Sequence, residues 1–413
     1  MAETGDDEDT IIAQIRPLVN PQPPPNPEAQ ASAPVIRFRP PFIGTSAHDA
    51  RGDAAHLVAE NLVQQGLPHL SAFLLARAFV DSHASSEELR TVSVPFKDDE
   101  YDSIDASVWC RKVVAAIPAF LSSVLNGEIH VAENLPGLSQ YRYSVAADRN
   151  RRQKMEDRHI SIPTMELLGG KNDGTGLFGV FDGHGGAEVA IYAAAHLPDV
   201  FHETQGALFD KLKQSLEELD RRVAIRCKKE HWKSGSTAVC VAVDEKEICY
   251  GWVGDSAGYL MRSTEVTKVT KDHSPSEESE AKRVEAAGGI LVWLQGEYRV
   301  NGILNLTRSL GDIAGRPMII SDADMLKMER DGGEYLVILA CDGVSDVLTS
   351  AQIYETIQKY VESHESTEYQ GIAGALCAAA KDEGSSDNLT AVIVFLKTVD
   401  ELWALFSQET PND

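Results

Sequence analysis

Acidic side chains stand at the ends of several apolar, β-branched segments of this 413-residue sequence. A buried strand delivers its terminal residue to the rim of a sheet, where a carboxylate is partly desolvated and needs a positive partner. The residues in such positions are Asp182 after LFGVF, Asp255 after YGWVG, Asp342 after YLVILAC with Asp346 one helical turn later, Glu156 and Asp157 before HISIP, and Asp387 with Asn388 before LTAVIVFL.

Any one of these aspartates has an ordinary explanation, because Asp-Gly is a common turn dipeptide. Five such positions in separate segments weaken that explanation, since few cations lie near them in the chain to pair them. Carboxylate and carbonyl oxygens are the ligands that magnesium and manganese prefer, and the carbonyl of Gly183 could bind the same ion as Asp182. Zinc is disfavoured because no His or Cys stands at ligand spacing.

Two further features add polar chemistry to the acidic positions. His184 lies in the glycine-flanked turn DGHGG. A lone histidine is more often structural, but this position favours a role near the metals. The segment 141–158 carries several basic residues, which would ordinarily form a solvated face. One arginine near Glu156 could instead bind a phosphate group bidentately. The basic residues are Arg142, Arg149, Arg151, Arg152, Lys154 and Arg158.

The elements that must position these residues do not alternate as strand and helix. Apolar strands come in groups and amphipathic helices come in pairs, and STAVCVAVDEKEICYGWVGD predicts a hairpin turning at 244–246. This order predicts an α+β fold of two antiparallel β-sheets between pairs of helices, not a Rossmann fold.

The N-terminal third has a different character. Nine of the 18 prolines precede residue 46, so residues 1–46 are predicted to form an acidic, Pro-rich flexible arm. Residues 47–135 predict a small helical domain that binds partners, with a helix over Ile104–Leu125 that Pro118 kinks or ends. The catalytic region is predicted over 139–400, followed by a short tail at 401–413.

Composition excludes several classes of protein. The chain carries 38 Lys and Arg against 63 Asp and Glu, a net charge of −25, which argues against a nucleic-acid binder. The acidic N-terminus is unlike a secretory signal, and the apolar run Val113–Leu125 is short and interrupted, so we expect no membrane association. Six scattered cysteines without a CxxC pair predict reduced thiols in the cytoplasm or also the nucleus.

At these residues the sequence resembles the metal-dependent Ser/Thr protein phosphatases, the PPM or type 2C family, from about Ser139 to Lys397. It is most similar to the subgroup that acts on calmodulin-dependent and p21-activated kinases and that includes the nematode sex-determination phosphatase. The motifs that carry the resemblance are RRQKMEDRH, FGVFDGHGG, SGSTAVCVAV, VGDSAG, EAKRVEAAGG, RVNGILNLTRSLGD, ILACDGVSDV and GSSDNLTAVIV.

The resemblance implies a role for each position. Two Mg²⁺ or Mn²⁺ ions would be held by Asp182, the Gly183 carbonyl, Glu156, Asp342 and Asp387. Asp157 and Asn388 would support these ligands without binding the ions directly. Asp255 and Asp346, with Asp342, would form a weaker third metal site. Arg152 would bind the substrate phosphate and His184 would be the general acid. One departure is Ala257, where the family usually has an arginine.

The function implied is hydrolysis of phosphoserine and phosphothreonine by a metal-bridging hydroxide, with protein kinases among the candidate substrates. Two alternatives stay open from the residues. One is a non-enzymatic scaffold that uses the phosphatase fold for binding, against which the intact carboxylate set argues. The other is an active phosphatase whose main role is as an adaptor subunit of a larger complex.

Overall fold

The computed structural model describes residues 8–19, 42, 44–46, 49–83, 104–129, 131, 141–168 and 173–407. The chain divides into two compact units between Leu138 and Ser139, except that Glu166–Gly169 groups with the first unit. The two units are described separately below.

The first unit is helical. Its helices are α1 (Glu8–Val19), α2 (Ala50–Gln64), α3 (His69–His83) and α4 (Ala106–Leu125), and a short antiparallel pair joins β1 (Gly44–Thr45) to β2 (Ile104–Asp105). Apolar side chains recur every three or four residues on α2, where Leu57, Val58 and Leu62 are buried. Phe79 of α3 meets Phe120 of α4 edge to face, with ring centroids 5.3 Å apart. The helices therefore share one aliphatic and aromatic core.

Two predictions for this region are wrong in part. Residues 8–19 of the predicted flexible arm form α1, because Ile11 and Ile15 lie one turn apart and are fully buried. The Pro-rich remainder of the arm lies largely outside the described residues. Helix α4 begins at Ala106 rather than Ile104 and runs through Pro118 to Leu125. An interior proline costs roughly 3 kcal/mol, and the buried face of α4 offsets this cost.

Helix α4 also contains a window, Val108–Leu125, that is long and apolar enough by composition to cross a membrane. A core helix passes the same test, and the buried side chains of α4 fall at helical spacing on one face. They are Trp109, Cys110, Val113, Ile117, Phe120, Leu121 and Val124.

The second unit contains two five-stranded antiparallel sheets. The first has the strand order β11-β10-β16-β17-β3 and the second the order β15-β9-β8-β5-β4. Their bounds are β3 (Tyr143–Asp148), β4 (Arg158–Ile162), β5 (Gly176–Phe181), β8 (Ala238–Val243), β9 (Glu247–Val253), β10 (Ala257–Met261), β11 (Val266–Lys268), β15 (Asp324–Glu329), β16 (Leu336–Ala340) and β17 (Leu389–Phe395).

Helix pairs cover the sheets. Helices α5 (Glu188–Glu203) and α6 (Leu208–Glu230) pack on the second sheet, and α9 (Ser350–Ser363) and α10 (Ile372–Asp382) pack on the first. One hydrophobic cluster joins the inner faces of both sheets. The predicted α+β sandwich of antiparallel sheets between helix pairs is therefore confirmed.

Smaller elements complete the unit. They are β6 (Gly183–His184), β7 (Gly235–Ser236), α7 (Glu278–Ala286), β12 (Leu291–Leu294), β13 (Glu297–Val300), β14 (Leu310–Gly311), α8 (Asp342–Ser345), α11 (Val399–Ser407) and the 3₁₀ turns Met165–Leu168, Ile313–Gly315 and Ser366–Gly371. The predicted tail at 401–413 is wrong for residues up to Ser407, because Leu402 and Trp403 of α11 are buried in the main core.

Candidate active site

Strand register brings the acidic positions to one edge of the sandwich. In the second sheet Arg158 pairs with Phe181, so the start of β4 lies beside the end of β5. In the first sheet Ala340 pairs with Ala391, so the end of β16 lies beside the start of β17. The residues just beyond these ends are the predicted metal ligands. The hydrogen bond from Thr390 of β17 to Asp157, just before β4, brings together segments more than 200 residues apart.

The gathered carboxylates are close enough to repel one another. Burial raises the pKa of Asp182 well above its ordinary value, and the charges of Asp342, Asp157 and Asp255 raise it further. Burial likewise raises the pKa of Asp342 to about 8, with Asp255 and Asp387 adding to the effect. The site is therefore a concentration of negative charge that lacks enough positive charge to balance it.

Asp157 supplies a direct test of whether a cation fits. This residue is 2% exposed, and its Oδ2 accepts a hydrogen bond of 2.7 Å from the hydroxyl of Thr390. Its Oδ1 is buried and has no hydrogen-bond partner among the described residues. Ligand atoms of Asp157, Asp182 and Cys341 lie within 4.8 Å of one another. A buried carboxylate oxygen is costly to leave unpaired, so the donor set fits a bound cation.

The chemistry of the donors favours a hard cation. The Cys341 thiol is fully buried, and burial first, then the charges of Asp157 and Asp182, raise its pKa well above the ordinary value. Cys341 is one sulfur donor beside two carboxylates, whereas a soft metal prefers several thiolate or imidazole ligands. The remaining donors are oxygens, which suit magnesium or manganese.

Asn388 ties the loop that carries Glu156 to the start of β17. Its Oδ1 accepts a hydrogen bond of 2.8 Å from the backbone N–H of Glu156. Its Nδ2 donates to the carbonyls of Arg149 and Lys154, at 3.0 and 2.9 Å. Asn388 thus fixes the loop that carries Glu156, and its place beside bound metal ions stays a prediction. The ligand role of the Glu156 carboxylate stays a prediction.

Gly183 meets the same loop from the other side. A Cβ built at this position would lie 2.6 Å from the carbonyl oxygen of Glu156, closer than side chains tolerate. Glycine is therefore required where the end of β5 passes the Glu156 loop. The ligand role of the Gly183 carbonyl stays a prediction.

Arg152 stands at the exposed side of the cluster. Its guanidinium pairs with Oδ2 of Asp387, while Oδ1 of Asp387 accepts a 2.7 Å hydrogen bond from the N–H of Asn388. The Arg152 side chain is 60% exposed, so it can also reach a substrate from solvent. The structure thus brings the proposed phosphate-binding arginine next to a predicted metal ligand.

Asp255 and Asp346 flank the cluster. The pKa of Asp255 is raised to about 6, chiefly by burial and also by the charges of Asp346 and Asp272. Asp346 follows Asp342 by one turn, and its N–H donates to the Asp342 carbonyl at 2.9 Å. Ala257, where the family usually has arginine, is fully buried opposite Ala340.

His184 lies beside the cluster and contacts a residue to which the sequence assigned no role. Its Nε2 is 2.6 Å from Oδ2 of Asp312. Asp312 belongs to the motif RVNGILNLTRSLGD, so its position in that motif was the available signal. Thr237 and Thr390 were also missed. Thr237 exchanges two hydrogen bonds with the Asp182 backbone, at 2.9 and 3.1 Å.

Comparison with known proteins gives a consistent result. The family profile described as "Protein phosphatase 2C" matches residues 141–389. The Caenorhabditis elegans protein phosphatase fem-2 is 37% identical over 396 residues, which cover 92% of this chain and 86% of that protein. Human protein phosphatase 1E is 31% identical over 88% of this chain, and the match spans only 48% of the human protein.

A solved structure extends the similarity to three dimensions. The structure titled as a C. elegans sex-determining protein superposes with a TM-score of 0.80 at 34% identity. The match covers 88% of this chain and 92% of that one. The similarity therefore includes both the helical unit and the sandwich.

Proposed function

This chain belongs to the protein phosphatase 2C family of metal-dependent Ser/Thr protein phosphatases, and from that premise we propose how its residues act. The proposed reaction is hydrolysis of phosphoserine and phosphothreonine by direct attack of water, without a phosphorylated side chain. The observation that carries the proposal is the converged carboxylate set, with the buried, unpartnered Oδ1 of Asp157 among it.

The metal ligands follow the sequence assignment. Two magnesium or manganese ions would be held by Asp182, the Gly183 carbonyl, Glu156, Asp342 and Asp387, and a weaker third ion by Asp255, Asp346 and Asp342. When bound, such ions lower the pKa of water and offset the negative charge of phosphoryl oxygens. Asp157 and Asn388 keep the ligand-bearing loops in place through their bonds to Thr390 and to the Glu156 backbone.

Arg152 and His184 act on the substrate itself. Arg152 binds phosphoryl oxygens and orients the phosphate. The oxygen of water bonds to phosphorus as the bond to the serine or threonine oxygen breaks. The electron pair of that bond stays on the leaving oxygen, which takes a proton from His184. A proton of the attacking water then restores His184, so the products are the free hydroxyl and hydrogen phosphate.

The decisive experiment measures phosphate release from phosphothreonine and phosphoserine peptides with added Mn²⁺ or Mg²⁺ and with excess chelator. We expect turnover only with metal, and recovery when metal is restored. The Asp342→Asn variant is the matched control for a contaminating phosphatase. Full activity after exhaustive chelation, or equal activity of wild type and Asp342→Asn, would contradict the proposal.

The same assay separates catalysis from a purely scaffolding role. A scaffold would bind phosphopeptide or partner without releasing phosphate at any metal concentration. An adaptor role in a larger complex is compatible with catalysis. That role is tested by the size of the native assembly rather than by turnover.

Partners and location extend the proposal. The helical unit is proposed to recruit protein partners, since every site residue described above lies in the second unit. Phosphoproteins, protein kinases among them, are the proposed substrates. The six cysteines are free and buried, which supports residence in a reducing compartment such as the cytoplasm or nucleus.

A further inference from the structure

A small three-stranded sheet, separate from the two large ones, carries His184. Its strand order is β14-β7-β6. In this register His184 pairs with Gly235, and Gly235 pairs on its other side with Gly311. The residue after Gly311 is Asp312. Three motifs that are far apart in sequence thus meet at one point.

The meeting point is an aspartate–histidine pair shielded from water. Nε2 of His184 lies 2.6 Å from Oδ2 of Asp312, and Asp312 is only 8% exposed. The hydroxyl of Ser309 donates to the same oxygen at 2.6 Å. Since a carboxylate oxygen accepts both bonds, the proton shared with Asp312 resides on Nε2 of His184. The other ring nitrogen, Nδ1, is the one left for proton transfer.

Gly235 fits closely against this pair. A Cβ at Gly235 would lie 2.1 Å from Oδ2 of Asp312 and 2.5 Å from Nε2 of His184. Any side chain there would separate the two partners. The absence of a side chain at Gly235 in β7 therefore allows His184 and Asp312 to be in contact.

The turn that contains Asp312 is linked by hydrogen bonds to helix α6, which packs on the second sheet. The Asp312 backbone adopts the left-handed conformation, with φ of 41°, which an aspartate tolerates better than most residues. Asp220 of α6 accepts hydrogen bonds of 2.6 and 2.8 Å from Arg316, and Arg316 also donates to the Gly311 carbonyl at 3.3 Å. The turn that presents Asp312 is thus anchored to a long helix.

We propose that Asp312 is a positioning residue that fixes the tautomer and ring orientation of His184 for proton donation to the leaving oxygen. The inference rests on the proposed function and deepens it. A third group that orients a proton-transferring histidine is a general arrangement in enzymes. If the Asp312 contact were only structural, its loss could destabilise the fold. The resulting change in kcat would then not depend on the leaving group of the substrate.

The first test compares two substrates. A serine alkoxide leaves poorly without a proton, whereas nitrophenolate leaves almost unaided. Asp312→Ala in the full chain with Mn²⁺ is expected to lower kcat about 10-fold or more on a phosphopeptide and far less on nitrophenyl phosphate. Asp312→Asn keeps an oxygen that can accept from Nε2 and is expected to lose less. Asp331→Asn, a change at an exposed surface carboxylate, is the matched control.

A double-mutant cycle decides whether Asp312 acts through His184. In the His184→Ala background, adding Asp312→Ala should change kcat on the phosphopeptide by less than about 2-fold. Gly235→Ala, which retains both partners but separates them, should reproduce the substrate-dependent loss. Thermal unfolding with and without Mn²⁺ checks that each variant folds and binds metal.

Equal losses on the two substrates, or additive losses in the cycle, would overturn the positioning role. Those outcomes leave the proposed function standing if the wild type hydrolyses phosphopeptide with metal. A wild type inactive on both substrates would contradict the proposed function instead. The two failures are therefore distinguishable.

Discussion

At the scale of single residues, the site combines carboxylates whose charges disfavour one another. Asp182 and Asp342 have raised pKa values because they are buried and face other acidic groups. Such groups destabilise the metal-free fold near neutral pH, because ionising them inside the protein costs more than in water. Binding of divalent cations offsets this repulsion and stabilises the folded protein.

Asp182→Asn should therefore have opposite effects on activity and on metal-free stability. Removing one charge relieves repulsion, so the melting temperature in chelator should rise by a few degrees. Losing a metal ligand should lower kcat/KM by more than about 100-fold and reduce the stabilisation by Mn²⁺. Thermal unfolding with chelator and with Mn²⁺, together with phosphopeptide kinetics, checks both. Near-normal turnover with an unchanged Mn²⁺ response would rule out the ligand role.

His184→Ala and Arg152→Ala should differ in how they depend on the substrate. His184→Ala should cost about 100-fold on a phosphopeptide and much less on nitrophenyl phosphate. Arg152→Ala removes a contact to phosphoryl oxygens that both substrates share, so its loss should be similar on each and appear partly in KM. Steady-state kinetics of both variants on both substrates makes the comparison. An equal loss for His184→Ala on both would mean it is not a general acid.

At the scale of elements, strand ends and short connections hold the site. Helix α7 is attached to the segment before β14 through Glu280, which is 5% exposed. Its carboxylate accepts from Arg308 at 2.6 Å and from the Thr307 hydroxyl at 2.6 Å. Burial alone would raise the pKa of Glu280. Hydrogen bonds from Arg308, Thr307 and Arg283 outweigh burial and lower that pKa to about 2.

Glu280→Gln should therefore change the acid side of the stability profile. A lowered folded-state pKa contributes stability above the unfolded value, near 4.3, and that contribution is lost as pH falls toward 2. The variant should lose about 2 kcal/mol at neutral pH and show a flatter decline between pH 4.3 and 2. Denaturant unfolding across pH measures this.

The control for that experiment is Glu278→Gln on the same helix, whose side chain is 83% exposed and pairs with Lys282. Its profile should match the wild type, because surface pairs contribute little. If both variants decline in parallel with the wild type, the buried network does not set the acid response.

At the scale of the whole molecule, the proposed catalytic residues belong to one of the two units. The site residues described here all lie from Ser139 onward, where one large core joins both sheets. The net charge of −25 adds no general attraction for phosphate, so Arg152 and the bound metals must supply the local positive charge.

Removing residues 1–138 should leave metal-dependent hydrolysis of nitrophenyl phosphate within about 3-fold of the full chain, since no described catalytic group is lost. Binding of protein partners should weaken. Kinetics and pull-down of both forms from one preparation compare the two properties. Loss of small-substrate turnover in a truncated protein that still unfolds cooperatively would show that the first unit completes the active site.

Much of this protein follows from local sequence rules. Alternating apolar segments and the hairpin at 244–246 predict antiparallel strands, because side-chain period and turn chemistry act over a few residues. Acidic residues beyond strand ends predict a metal site for the same reason. The motifs then identify the family, which the comparisons confirm. The predicted arm and tail were wrong at α1 and α11, where burial against distant residues determines helix formation.

Only the tertiary structure decided which groups meet. The pairing of Asp312 with His184 depends on the register of three strands separated by up to 128 residues, which no local pattern encodes. The unpartnered Oδ1 of Asp157 and the buried Ala257 likewise depend on packing between sheets. Sequence spacing determines which side chains reach an edge, whereas distances, burial and pKa shifts arise from all the elements that converge there.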